Sequence, residues 1–439
     1  MSWIDWTIMI VPMIFVMFMG FYSRKYIRGV TDYLAAGRVA GRYVISVGDV
    51  AKGLAVITLI GYTEAHYKTG FSMAFWHNIL APLSIVLGLT GYFTYRFRET
   101  KVLSLGQFLE MRYNRPLRIY AAALRSVAEL LANCMCPALA ARFMIYYIGL
   151  PYSFDFLGIK IPSFMVLTLI MITLCILICC LGGGLSLLVT DTIQGFFCYP
   201  LLIIFTIFII IKFSWNGVIV PVMSDRVAGQ SFLNPYDVQG LRDFNMFALV
   251  VTVYSSIINR GNWAGGCGSV SARSPHEQKM ASILGTWRNM FHSVIYILLV
   301  IMVIATLNHQ SMAEKAREVR NDLSSKVLRE VASDDQSLQQ KLNAELAKLP
   351  PRDHVIGGPR PQDAPLSHEN NMDTPHLELV HNGLRAAPKG EEKYQQFFTL
   401  YHQMMLPVTL RHLLPIGMVG LFALFILLMM LSKIGRAHV

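Results

Sequence analysis

Apolar runs of about 20 residues recur along the whole chain, and a run of that length is what a helix needs to cross a bilayer. The first is Trp3–Tyr22. Others are Tyr43–Tyr62, Trp76–Tyr95, Arg118–Ile148, Pro162–Leu181, Ile193–Ile211, Phe244–Asn259, Arg288–Leu307 and Leu413–Ser432. The sequence therefore predicts nine transmembrane helices. Only 15% of the 439 residues are charged, against about 25% in soluble domains, and the mean hydropathy is +0.46.

The connections test this reading. Residues 23–42 carry Arg24, Lys25, Arg28, Arg38 and Arg42. Residues 96–118 carry Arg96, Arg98, Lys101, Arg112, Arg115 and Arg118, and 260–288 carry Arg260, Arg273, Lys279 and Arg288. The alternate connections 63–75 and 149–161 hold one lysine each, Lys68 and Lys160. Cytoplasmic loops collect Lys and Arg, so the N-terminus is expected outside, with a bacterial inner membrane as the default location. The net charge of +11 thus reads as loop charge and not as a nucleic-acid surface. The first run lacks a basic start and a cleavage site, so it is expected to stay as an anchor.

Residues 309–410 interrupt the pattern as a long polar connection. Ser311–Leu349 reads as amphipathic helix, and six prolines over Pro350–Pro375 break it. The expectation is a solvated extracytoplasmic insertion, with a structured lid as the alternative. After Ser432 comes Lys433-Ile-Gly-Arg-Ala-His-Val439, which matches the translation of a common sequencing-adapter oligonucleotide. It is expected to be an artefactual tail on a truncated reading frame.

Polar and breaker residues inside the runs carry the chemistry. Gly48, Asp49, Lys52 and Gly53 lie mid-run in Tyr43–Tyr62. Two glycines flanking charges predict an interrupted helix, which lipid tolerates only around a cavity. Its freed carbonyls can coordinate sodium. Asp49 and Lys52 either face that cavity or lock each other at i, i+3. Arg125 and Glu129 read as a structural i, i+4 pair. The glycines Gly182–Gly184 predict a tight turn ending one span. Asp191 at the start of the next is either a helix N-cap or part of a cation exit. Arg260 can hold a carboxylate bidentately or mark the membrane edge, and Trp263 can stack on a substrate. The seven cysteines show no metal spacing and read as small buried hydrophobes. No Walker loop, Rossmann fingerprint, zinc-protease or nucleophile-elbow motif occurs in a suitable context, so neither an enzyme nor a resident cofactor is expected.

Several segments resemble the sodium:solute symporter family. They are Asp32-Tyr-Leu-Ala-Ala-Gly-Arg38, Ser104-Leu-Gly-Gln-Phe-Leu-Glu-Met-Arg-Tyr113 and Gly183-Gly-Leu-Ser-Leu-Leu-Val-Thr-Asp-Thr-Ile-Gln194. Weaker matches are Ala272-Arg-Ser-Pro-His-Glu-Gln-Lys279 and Leu414-Pro-Ile-Gly-Met-Val-Gly-Leu421. The resemblance implies an all-α polytopic membrane protein of leucine-transporter-type inverted-repeat fold. It also implies an extra N-terminal helix in 1–30, a first repeat in 31–212 and the start of a second in 213–308. Core helix eight, in 411–432, is cut short, so the second repeat is expected to be incomplete and 433–439 to be tail.

The function this implies is sodium-coupled symport of a small organic solute, with Na+ as coupling ion. By resemblance the backbone carbonyls of Ala51 and Leu54 bind sodium, with Ser432 at the edge of the site. Asp191 matches the aspartate associated with sodium exit. Lys52, Gly53, Trp76, Arg260, Asn262 and Trp263 fall near the substrate cavity, and Lys52 with Arg260 leans toward a carboxylate-bearing solute. Lys52 stands where the family usually has a small residue. A sodium-independent or proton-coupled transporter using Lys52 therefore stays open, as does the transporter-like sensor region of a signalling receptor.

Overall fold

The computed structural model describes residues 1–53, 55–70, 75–76, 79, 81–156, 159–224, 232–236, 247, 250–251, 254–255, 270–333, 335–351, 373–385 and 387–436. For 49–53, 68–69, 81, 84, 88, 132–135, 155–156, 159–160, 179, 181, 289–293 and 432–436 the description covers the backbone alone.

The fold is helical as expected. In chain order the helices are α1 (Trp3–Ser23), α2 (Val30–Ala35), α3 (Arg42–Gly53), α4 (Val56–Thr69), α5 (Ala81–Thr90), α6 (Tyr92–Glu99), α7 (Leu105–Arg112) and α8 (Arg115–Ile148). A hairpin of β1 (Ser153–Phe156) and β2 (Ile159–Pro162), paired Ser153 to Pro162, leads into α9 (Ser163–Lys212). Then follow α10 (Val220–Ser224), α11 (Pro275–Asn308), α12 (Ala313–Val331), α13 (Gln336–Ala347), α14 (Thr374–Arg385), α15 (Gly390–Leu413) and α16 (Met418–Arg436).

Local sequence sets many of these ends. Ser2 and Asp5 form a capping box on α1. Ser104, Asn114, Ser274 and Asp335 each accept a backbone N–H at the start of α7, α8, α11 and α13. Such caps satisfy amides that the helix itself leaves unpaired. Asp5 also reaches across the bundle, where its Oδ1 accepts from the amides of Gly417 at 2.7 Å and Gly420 at 3.0 Å. One buried carboxylate thus caps two helices, α1 and α16.

Among the described residues, three stretches are long and apolar enough to span a membrane: Trp3–Tyr26, Arg115–Ile148 and Gly182–Lys212. Val294–Asn308 joins them only if its continuation past a 79° bend is counted as the same span. Elsewhere helices break within expected spans. Tyr43–Tyr62 splits between α3 and α4, as the glycines there predict. Trp76–Tyr95 splits at Gly91, whose φ of +61° is open to glycine. There a Cβ would lie 2.7 Å from the Lys279 side chain. Most of Phe244–Asn259 lies outside the described residues. Gly182–Gly184 does not end a helix with a turn. It is a kink inside α9, with Gly183 at φ 46° and ψ −145°.

The core sits where α8, α9 and α16 meet. Phe422 lies edge-on to Phe205 at 5.3 Å and against Tyr147 at 5.4 Å, and the Tyr147 hydroxyl donates to the Val419 carbonyl at 2.9 Å. The long polar connection departs most from expectation, because its described residues form a packed helical cap and not a solvated insertion. Its helices α12, α14 and α15 bury Val319, Leu323, Val327, Val380, Leu384 and Tyr401, and α15 packs on α4, α8 and α11. The amphipathic stretch after Ser311 forms two helices, α12 and α13, separated at 332–335.

Candidate functional site at the broken helix

The sequence places two glycines around the middle of the second apolar run, and the helix stops there. α3 ends at Gly53, and α4 begins after Ala55, which is extended at φ −135° and ψ 137°. A break of this kind frees carbonyls from the end of one half-helix and amides from the start of the next. Ala55 and Val56 are both buried, so protein and not lipid surrounds the exposed backbone, as the cost of unpaired polar groups demands.

Three elements enclose the break. α11 packs along both α3 and α4, and its buried Tyr296 ring lies 6.2 Å from that of Tyr62 on α4. α16 touches both half-helices as well. α9 lies close against α3 at Gly195, where an added Cβ would lie 2.3 Å from Val47 Cγ1. α3 and α11 are pinned at their starts. Arg42 holds Glu277 through Nε at 3.1 Å and an NH2 contact of 2.6 Å, and the Arg42 amide adds a third bond at 2.8 Å. The hydrogen bonds from Arg42 hold the Glu277 carboxyl below its ordinary 4.5. Farther along, Arg288 donates to Ser46 Oγ at 2.5 Å.

Of the residues singled out from sequence, Ala51, Lys52 and Gly53 form the last turn of α3 with backbone alone described, and Leu54 lies outside the described residues. Ser432 is on the α16 backbone. Whether Asp49 and Lys52 pair with each other concerns side chains outside the description. Asp191 is buried on α9, two turns past the Gly183 kink. That position corrects the N-cap alternative, since a residue so far inside a helix has no orphan amides to cap. Trp76 is buried; its indole N–H donates to the Pro235 carbonyl, and its ring lies edge-on to Tyr236 at 6.0 Å. Arg260, Asn262 and Trp263 lie outside the described residues. Arg125 and Glu129 approach to 4.0 Å on an exposed face of α8, which fits the structural reading.

Sequence reasoning passed over Gln194, one turn after Asp191. It is buried, and its Oε1 has no hydrogen-bond partner among the described residues. A buried unpaired acceptor costs free energy, and its i, i+3 spacing from Asp191 was the signal that could have found it. Tyr296 was likewise missed; its buried hydroxyl also has no hydrogen-bond partner among the described residues.

The model of the sodium:solute symporter family matches residues 33–315. A solved structure of a Na+-coupled sialic acid symporter, in a substrate-bound outward-open state, superposes with a TM-score of 0.65 at 16% identity. The match covers 99% of this chain and 71% of that one. No curated protein matches by sequence.

Proposed function

The chain belongs to the sodium:solute symporter family, and from that premise we propose that it carries a small organic solute across a cell inner membrane by sodium-coupled symport, with its N-terminus outside. The observation that carries this reading is the buried break between α3 and α4 with α16 lying against both halves.

Sodium needs several hard oxygens, and a broken helix supplies them as carbonyls without adding charge. In this reading the carbonyls of Ala51 and Leu54 hold the ion and Ser432 on α16 lends its hydroxyl. Asp191 takes the ion on its way out, and the unpaired Oε1 of Gln194 offers a second oxygen beside that route. The solute binds by Lys52, Gly53, Trp76, Arg260, Asn262 and Trp263. Lys52 and Arg260 favour a carboxylate-bearing solute; the similar solved symporter carries an acid too. Sodium at the break stabilises the arrangement of α3 and α4 that binds solute, so each ligand raises the other's affinity.

The test is uptake of radiolabelled carboxylate-bearing solutes into proteoliposomes, with Na+ outside replaced by choline. Uptake should collapse without Na+. Uptake that is unchanged by the replacement, yet abolished by Lys52→Ala, would instead support a carrier using the lysine ammonium in place of sodium.

A further inference from the structure

The helical cap contains a cavity that the transport reading does not use. It has a volume of about 200 Å³ and lies between the end of α11, the first turns of α12 and the start of α14. An engineered apolar cavity of about 150 Å³ accepts benzene, so this one has room for a slightly larger molecule.

Its lining is divided. Leu307, Ala313, Ala316, Leu349, Pro350 and Pro375 give it apolar walls. Among the described residues the ionisable side chains on it are Arg317, Arg320, His309 and His376, with no carboxylate. Arg320 is engaged, since its Nε meets Asp373 at 2.7 Å and its NH2 donates to the Leu307 carbonyl at 2.8 Å. Among the described residues Arg317 pairs with Glu314, at 3.1 Å on the exposed side of α12. A surface pair of that kind is weak and readily exchanged. The starts of α12 and α14 both border the space, and the positive ends of their dipoles add to the arginine's charge.

We propose that this cavity is an accessory binding site for a small monocarboxylate with a compact apolar body, about the size of benzoate. The carboxylate meets Arg317 near the mouth, and the apolar body fills the space between Leu307, Ala316 and Pro375. A polyanion such as a nucleotide is not favoured, because one exchangeable guanidinium cannot neutralise it. The site is independent of the sodium-coupling reading and should fill with or without Na+.

The experiment uses the full chain in lipid nanodiscs with benzoate as ligand and para-azidobenzoate as photolabel. Label should appear on residues of 307–320, on 349–350 or on 375–376, and be displaced by excess benzoate. In calorimetric titration Arg317→Met should weaken benzoate binding about tenfold, the loss expected for one charged hydrogen-bonding partner. Ala313→Leu, which fills the cavity, should abolish it, while Arg125→Met on the exposed face of α8 should leave it unchanged. Arg317→Met removes only a surface ion pair, so the protein should unfold at the same temperature without ligand. Label confined to other peptides overturns the proposal, as does label that benzoate does not displace. So does benzoate binding that neither Arg317→Met nor Ala313→Leu weakens.

Discussion

The Tyr67 hydroxyl at the end of α4 donates a 2.7 Å hydrogen bond to Oδ2 of Asp373, a residue 306 positions away. The other carboxylate oxygen accepts from Arg320 Nε at 2.7 Å and from the Tyr401 hydroxyl at 3.0 Å. Asp373 is fully buried and Arg320 nearly so. One carboxylate therefore ties α12 and α15 of the cap to the second half of the broken helix. A second tie reaches α8, where Glu330 meets Arg142 at 2.8 Å and the Tyr146 hydroxyl at 2.8 Å.

Asp373→Ala should destabilise the cap by about 3–5 kcal/mol, because it leaves Arg320 as a buried charge without its counterion. Hydrogen exchange in α12 and α15 reads this directly, and both helices should lose protection while α9 keeps it. Asp373→Asn should cost less, since an amide oxygen in place of Oδ1 still accepts from Arg320 and Tyr401, and the amide nitrogen in place of Oδ2 can donate to the Tyr67 hydroxyl. Equal protection in wild type and Asp373→Ala would show that the tie does not form.

The same carboxylate sets a pH limit. Burial pushes Asp373 up, but the Arg320 guanidinium and the Tyr67 hydroxyl outweigh it and hold the group below its ordinary 3.8. Asp322 behaves alike, with burial outweighed by His412 and Lys326. A carboxyl depressed in the folded state binds its proton more readily when unfolded, so its stabilisation is complete above the unfolded value and lost as pH falls toward the folded one. Cap stability should therefore be insensitive to these two groups from neutral pH down to near 3.8 and fall below it. Exchange protection in α12 measured through that range checks the sign; a loss beginning near neutral pH would point to groups other than these two.

Hydropathy and glycine placement made the transmembrane part legible, because both act locally. The glycines at 48 and 53 announced the break before Ala55, and Gly183 announced a backbone irregularity, although as a turn and not a kink. The cap was legible only as helix. Periodicity shows that Val319, Leu323 and Val327 share a face, but it does not say what covers that face. Arg320 and Asp373 are 53 positions apart, with a proline-rich stretch between them, and nothing in either local sequence marks a partner. Trp76 shows the same limit, since its indole N–H finds the Pro235 carbonyl, 159 positions on.

Gly183→Ala should cost at least about 1–3 kcal/mol, the range for a residue forced into a sparsely populated backbone region. Its φ of 46° with ψ of −145° is a glycine conformation. An added Cβ would also lie 2.6 Å from the Tyr33 carbonyl oxygen, which is backbone and cannot rotate away. Thermal unfolding in detergent should show a clear drop for Gly183→Ala. Gly149→Ala makes a useful comparison: it too has positive φ, at 81°, but meets nothing within 4 Å, so it should lose only the backbone term.

Asp191→Asn separates exit of the ion from its binding. Asp191 is buried on α9, between the Gly183 kink and Gly195, where α9 meets α3. If sodium leaves past this carboxylate, losing the charge raises the barrier to release and leaves the carbonyls at the helix break unchanged. Turnover in proteoliposomes should then fall about tenfold, equivalent to about 1.4 kcal/mol on the limiting barrier. The external Na+ concentration for half-maximal uptake should shift far less. Asn keeps the size and a hydrogen-bonding oxygen, so unfolding temperature should change little and protein loss can be told apart from slowed transport. A matching rise in the half-maximal Na+ concentration would place Asp191 in the binding site itself and remove it from the exit route.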